Sequence, residues 1–182
     1  MRAETRAARS ATDEPPSTAG VTSPDPTPEA RLRELGLSLP VLSTARGHYV
    51  RARRHGSLVF VAGHGPPPNA DGRRPAGKVG RDLDEREAYE AARGAGLAIL
   101  TTLTNELGDL GRVAAVLRIF GMVNCAPGFT AMPAVIDGCS DLLLDVFGPE
   151  VGAHARAAVG VAELPFDLPV EIEAVVAVRD GE

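Results

Sequence analysis

The chain has 182 residues and a mass of 18.9 kDa, enough for one ordinary domain whose core needs no metal or disulfide staple. Apolar residues make up 44% and charged residues 24%, and a net charge of −5 excludes a general nucleic-acid footprint. Cys125 and Cys139, the only cysteines, exclude a disulfide scaffold and a cysteine-rich zinc site; no apolar run reaches the roughly eighteen residues of a membrane span, and a reducing, cytoplasmic address is expected.

Residues 1–27 are Ala, Thr, Ser, Pro and mixed charge with a single valine. Nothing there offsets ordering entropy by burial, so the stretch reads as a disordered arm, and it lacks the apolar core of a secretory signal. Residues 28–182 read as one domain. Thr27 suits a helix N-cap and Pro28 the first helical position, with Leu32 and Leu35 forming a short amphipathic turn that ends at Gly36. Tyr49–Arg53 and Leu58–Ala62 read as strands joined by Arg54-His55-Gly56, and Pro66–Gly77 as a loop. Asp84 and Glu87 match a capping box at the start of a long helix to Leu107, whose Ala88, Ala91, Ala92, Ala95, Ile99 and Leu103 recur at helical spacing. Val113–Val123 is a dense apolar run, expected as a buried strand. A second helix begins near Pro133, carries Val135, Ile136, Cys139, Leu142, Leu143 and Val146 on one stripe, and is expected to stop at Gly148-Pro149. Ala155–Ala162 and Val170–Val178 read as strands around a turn at Leu164–Pro169. The last strand alternates, with Glu171 and Glu173 on its polar face. This order predicts a single α+β domain in which two helices cover one face of a mixed sheet.

Arg156 carries the sharpest chemical signal. It alternates with Ala158 and Gly160, so a guanidinium stands beside side chains that fill little space, a geometry suited to two-point capture of a carboxylate. Glu173, taken to lie on the neighbouring strand, is positioned to accept or deliver a proton; the structural alternative is an ion pair between Arg156 and a glutamate. His64 follows a strand and either lines a cleft as a proton carrier or is bonded to backbone. His154 reads as a strand-edge residue, and four histidines without paired spacing predict no metal site. Cys139 lies on an apolar stripe, the setting of an inert thiol. Arg46, Arg51, Arg53 and Arg54, with His48 and His55, form the one basic cluster; with only Tyr49 nearby for stacking, it reads as a solvated hairpin and not an RNA surface.

Arg-x-x-Val-x-Val-Ala-x-Leu-Pro from Arg156, followed by Val170-Glu-Ile-Glu-Ala174, resembles the C-terminal signature of the Rid/YjgF family of reactive intermediate deaminases. Gly47-His-Tyr49-Val50, Val59-Phe-Val-Ala-Gly63, Gly77-Lys-Val-Gly80 and Gly108-Asp-Leu110 extend the likeness, and Gly121–Phe129 with Asp137–Leu142 is similar to a bacterial branch of that family. The resemblance implies a chorismate-mutase-like fold, a homotrimer around a central barrel, and clefts between subunits that need no cofactor. It also implies hydrolysis of a carboxylate-bearing imine or enamine to a 2-oxo acid and ammonia. By motif match Arg156 holds the carboxylate, Glu173 helps activate water, and Tyr49, Gly63, His64 and Ala158 line the cleft. Here Ala157-Ala158 replace the Ser-Cys of the best-known deaminases, and His64 replaces a glutamine. The competing expectations are a non-catalytic trimeric binder of 2-oxo acids and a chorismate-type enzyme on the same fold. The expected partners are a small carboxylate and further copies of the chain, with no nucleic acid and no membrane.

Overall fold

The computed structural model describes residues 26–43, 47–69 and 71–179. The arm proposed for residues 1–27 lies outside the described residues up to residue 25, as does Arg46 of the basic cluster. Thr27 does cap a helix: its hydroxyl accepts the Ala30 N–H at 3.2 Å, and α1 (Pro28–Glu34) follows. The Glu29 carboxylate accepts the Leu110 N–H at 2.9 Å, fastening α1 to the body of the domain.

β1 (Ala52–His55) and β2 (Leu58–His64) form an antiparallel hairpin around Gly56, whose φ of 57° is the left-handed conformation the turn needs. β1 starts three residues later than the sequence suggests. The Arg51 carbonyl still accepts the Ala62 N–H, but the register between β2 and its other neighbour slips between Val61 and His64. This bulge at Ala62–Gly63 ends the regular ladder and leaves Tyr49 outside it. α2 (Glu85–Leu107) opens with both halves of the capping box, Glu87 N–H to Asp84 Oδ1 at 2.8 Å and Asp84 N–H to Glu87 Oε2 at 2.9 Å. β3 (Val113–Asn124) follows, then α3 (Met132–Gly152), β4 (Ala155–Val161) and β5 (Val170–Val178). The regular helix of α3 ends at Gly148 (φ 77°, ψ 171°), where the sequence expects it to stop, and Pro149 starts a separate short turn to Gly152, where its missing N–H costs nothing.

The sheet order is β1-β2-β5-β3-β4, with β3 and β4 parallel and the other pairs antiparallel. α2 and α3 cover one face, burying Ile99, Leu103, Ile119, Ile136, Leu142 and Ile172. They approach closely: a Cβ on Gly138 would stand 2.1 Å from the Tyr89 carbonyl oxygen. On the opposite, open face Phe60 and Leu117 are exposed, and Glu171 and Glu173 alternate with the buried residues of β5. No helix among the described residues is long and apolar enough to cross a membrane.

Candidate functional site

A cleft of about 580 Å³ opens at the end of the sheet where β2 and β5 meet the Leu164–Pro169 turn. Tyr49, Gly63 and His64, all expected there, line it. The bulge explains how. Val61 faces the helices, and the extra residue at Ala62–Gly63 lets His64 face them again, leaving Gly63 against the open face. The glutamate that lies over Gly63 is Glu171, not Glu173: a Cβ on Gly63 would meet Glu171 Oε1 at 1.9 Å. A side chain at position 63 would push that carboxylate aside. Burial, and after it the charge of Glu173, raise the Glu171 pKa above its ordinary value, as suits a group that exchanges a proton.

Glu173 is engaged elsewhere. Its Oε1 pairs with Arg118 Nη1 at 3.2 Å on the open face, and Arg118 lies over the Phe120 ring at 5.2 Å. The alternation of β5 puts both glutamates on one face, but nothing in the sequence says which of them reaches the cleft; the β2 bulge decides it.

His64 is a fixed wall and not a carrier. Its Nδ1 lies 2.6 Å from the Ala62 carbonyl oxygen and must donate to it, so Nε2 accepts the Thr102 hydroxyl at 2.8 Å. Burial, its largest influence, lowers its pKa and keeps the ring neutral.

Arg156 is not on the strand next to Glu173, because β3 lies between β4 and β5. Its register partner on β3 is the core residue Ile119, which places Arg156, Ala158 and Gly160 on the helix-covered face, opposite to both glutamates. Ala158, expected to line the cleft, is register partner to Gly121 and packs against the core. Within one chain Arg156 and Glu171 are therefore not brought together. The ion-pair partner of Arg156 is Asp137 of α3, at 2.5 Å from Nη1, and the same nitrogen donates to Ser140 Oγ at 3.0 Å. Ser140 Oγ lies 3.1 Å from His154 Nε2, whose Nδ1 bonds the Gly152 carbonyl at 2.6 Å. Nε and Nη2 of Arg156 have no partner among the described residues, so one edge of the planar fork is open to a carboxylate. Cys139 is fully buried in the core, where desolvation pushes its thiol up to about 12 against the opposing charge of Arg156.

The Leu164–Pro169 turn is held from behind. Phe166 (φ 59°) and Asp167 (φ 56°) are consecutive non-glycine residues in the left-handed region, a conformation that persists only when its surroundings fix it. The Gly77 N–H bonds the Asp167 carbonyl at 2.8 Å, and buried Asn124 donates to Asp167 Oδ1 at 3.0 Å. Lys78 Nζ in turn bonds Asn124 Oδ1 at 2.8 Å. The Gly77-Lys78 motif thus fixes a wall of the cleft through three side chains far apart in sequence. Among the described residues no group of three or more His, Cys, Asp or Glu could hold a metal ion.

Residues 29–170 match the family described as "YjgF/chorismate_mutase-like, putative endoribonuclease". The chain belongs to the Rid/YjgF family. Among its relatives is the protein TCP17 of Trypanosoma cruzi, 42% identical over 81% of this chain and 91% of that one. Among solved structures, Atu1372 of Agrobacterium tumefaciens, of unknown function, is 39% identical with a TM-score of 0.75 over 84% of this chain and 92% of that chain. E. coli TdcF with bound serine is 25% identical with a TM-score of 0.52, covering 75% and 91%. In this Rid/YjgF chain the departures at Ala157 and Ala158 lie away from the cleft that Glu171 lines, whereas the departure at His64 lies in its floor.

Proposed function

We propose that the protein hydrolyses a reactive imine or enamine bearing a carboxylate, releasing ammonia and a 2-oxo acid. The observation that carries this reading is the Glu171 carboxylate, half-buried over Gly63 with a raised pKa, in a cleft the size of a small metabolite. That TdcF, of the same fold, is described with bound serine supports a ligand of amino-acid size.

In the reaction Glu171 takes a proton from water as its oxygen adds to the imine carbon, and the C=N pair moves onto nitrogen. Protonated Glu171 returns the proton to that nitrogen, then takes the proton of the new hydroxyl and passes it to the amino group; the C–N bond breaks as the carbonyl forms, and ammonia leaves. Arg156 holds the substrate carboxylate through its open Nε and Nη2 edge, with Asp137 and Ser140 fixing the guanidinium from the other side. Since Arg156 and Glu171 face opposite sides of one sheet, the clamp belongs to the cleft of a neighbouring copy, which accords with a homotrimer. The open face carrying Phe60 and Leu117 is the surface that another copy would cover.

The test is release of ammonia and 2-oxo acid from imines generated in situ by an amino-acid oxidase or a pyridoxal-phosphate lyase. Release that disappears in Glu171→Gln and drops at least about tenfold in Arg156→Lys supports the reading, because lysine keeps the charge but loses the fork. No release from any imine overturns it. Binding of 2-oxo acids with no turnover would make the protein a carboxylate sensor.

A further inference from the structure

The cleft of Glu171 contains a cationic site that the deaminase reading leaves unused. Tyr49 and Arg51 stand two residues apart just before β1, and both line the cleft. Regular pairing begins at Ala52, opposite Val61; Arg51 and Tyr49 precede it and reach the cleft at the end of the sheet, where the charge of Arg51 acts on the His64 ring. The Arg51 carbonyl accepts the Ala62 N–H at 2.9 Å, tying its backbone to the bulge. Arg51, the bulge and Glu173 therefore form a row across three neighbouring strands, and Glu171 follows two residues along β5 with its carboxylate over Gly63.

Arg51 is held but not neutralised. Its Nη2 donates to the Ser43 carbonyl at 2.6 Å, and neither Arg51 nor Arg74, which also lines the cleft, has a carboxylate partner among the described residues. Glu171 does not serve as one: the charge that acts on it is that of Glu173, and no arginine lowers its pKa. A partly desolvated guanidinium without a counter-charge is a ready anion site.

We propose that Arg51, with Arg74 at the rim, holds a second anionic group of the ligand, so the preferred substrate is a short 2-imino dicarboxylate, derived from an acidic amino acid. The inference rests on the deaminase reading for its reaction but not for its binding site. One carboxylate goes to the Arg156 fork, the reacting carbon sits against Glu171, and the side-chain carboxylate reaches Arg51 within the same cleft.

Calorimetric binding of 2-oxoglutarate and 2-oxovalerate, which share a five-carbon chain and differ in the terminal carboxylate, tests it on the full chain. The expected result is at least about tenfold tighter binding of 2-oxoglutarate, the worth of a charge-assisted pair. Arg51→Gln removes that preference and leaves 2-oxovalerate binding unchanged, while Arg51→Lys restores part of it. Equal affinity for the two acids overturns the inference. So does an Arg51→Gln variant that weakens both alike, since Arg51 would then only anchor Ser43. Ammonia release that favours no acidic imine leaves the deaminase standing without the second subsite. Preference for the dicarboxylate without ammonia release from any imine leaves the subsite standing and removes the deaminase.

Discussion

Gly63 and Glu171 form the smallest unit that has a functional consequence. The two residues are over a hundred positions apart, and one exists in its conformation because the other has no side chain. Gly63→Ala is expected to displace the carboxylate and depress turnover, whereas in a Glu171→Ala background the same methyl finds room. A double-mutant cycle on turnover and melting temperature reads that coupling, and additive effects would separate the two residues. Glu171 also sets a pH dependence. Its folded pKa is raised above the ordinary 4.5, so between those values the folded chain keeps a proton that the unfolded chain has released. Stability falls as pH rises through that window, and the deficit persists above it. Glu171→Gln should therefore raise the melting temperature at pH 7 while reducing turnover by about a hundredfold or more, the usual scale of a lost acid–base group. Wild-type turnover of imines is expected to fall as pH drops through an inflection above 4.5, and a profile flat down to that value would show that Glu171 is not the base. Glu173→Gln loses the pair with Arg118 on the open face and leaves the carboxylate over Gly63 in place, so turnover of the assembled protein should stay near wild type. The sequence reading chose Glu173, whereas the carboxylate over Gly63 is that of Glu171, its neighbour on the same face. The choice depends on a bulge that one additional residue in β2 creates, and neither Ala62 nor Gly63 announces it.

Helices and strands were the legible level. Caps, apolar spacing and Gly/Pro boundaries lie within a few residues of each element, so α2, β5 and the Leu164–Pro169 turn could be read locally. What local reading lacks is lateral order. Arg156 and Glu173 follow one another on consecutive strands, β4 and β5, yet β3 inserts between them, and parallel pairing with β3 turns Arg156 toward α3. Its true counter-charge, Asp137, belongs to a helix whose sequence reads mainly as an apolar stripe. The spacing of that helix from α2 is set at Gly138, beneath the Tyr89 carbonyl. Gly138→Ala must push the helix backbones apart, and a loss of about 1–3 kcal/mol is expected, as for other overpacked cores. A denaturant midpoint equal to wild type would show that the two helices slide at no cost. Asp84→Ala at the capping box should cost about 1 kcal/mol, the usual worth of an N-cap, without moving the helices.

At the scale of the molecule, α2 and α3 cover one face of the sheet, and no described element covers the other. Among the described residues the helices lie on a single side of the five-stranded sheet, and on its second face Phe60 is 48% exposed. A groove beside it is walled by Val50, Phe60 and Val175, with Arg53 and Glu173 among its polar groups. Such a mixture of apolar surface and opposite charges suits burial against a second copy of the same chain. Assembly and chemistry are then linked, because the open edge of Arg156 and the cleft of Glu171 face away from each other in one chain and meet only if copies associate. Phe60→Asp places a charge at the centre of that surface without touching Glu171, Gly63 or Arg156. It is expected to give a folded monomer by sedimentation at micromolar concentration, with ammonia release lost and the circular dichroism spectrum retained. A wild-type chain that sediments as a monomer while releasing ammonia would dissolve the link, and with it the assignment of Arg156 to a neighbour's cleft. In that event Arg51, already in the cleft of its own chain, is the cation left to hold the substrate.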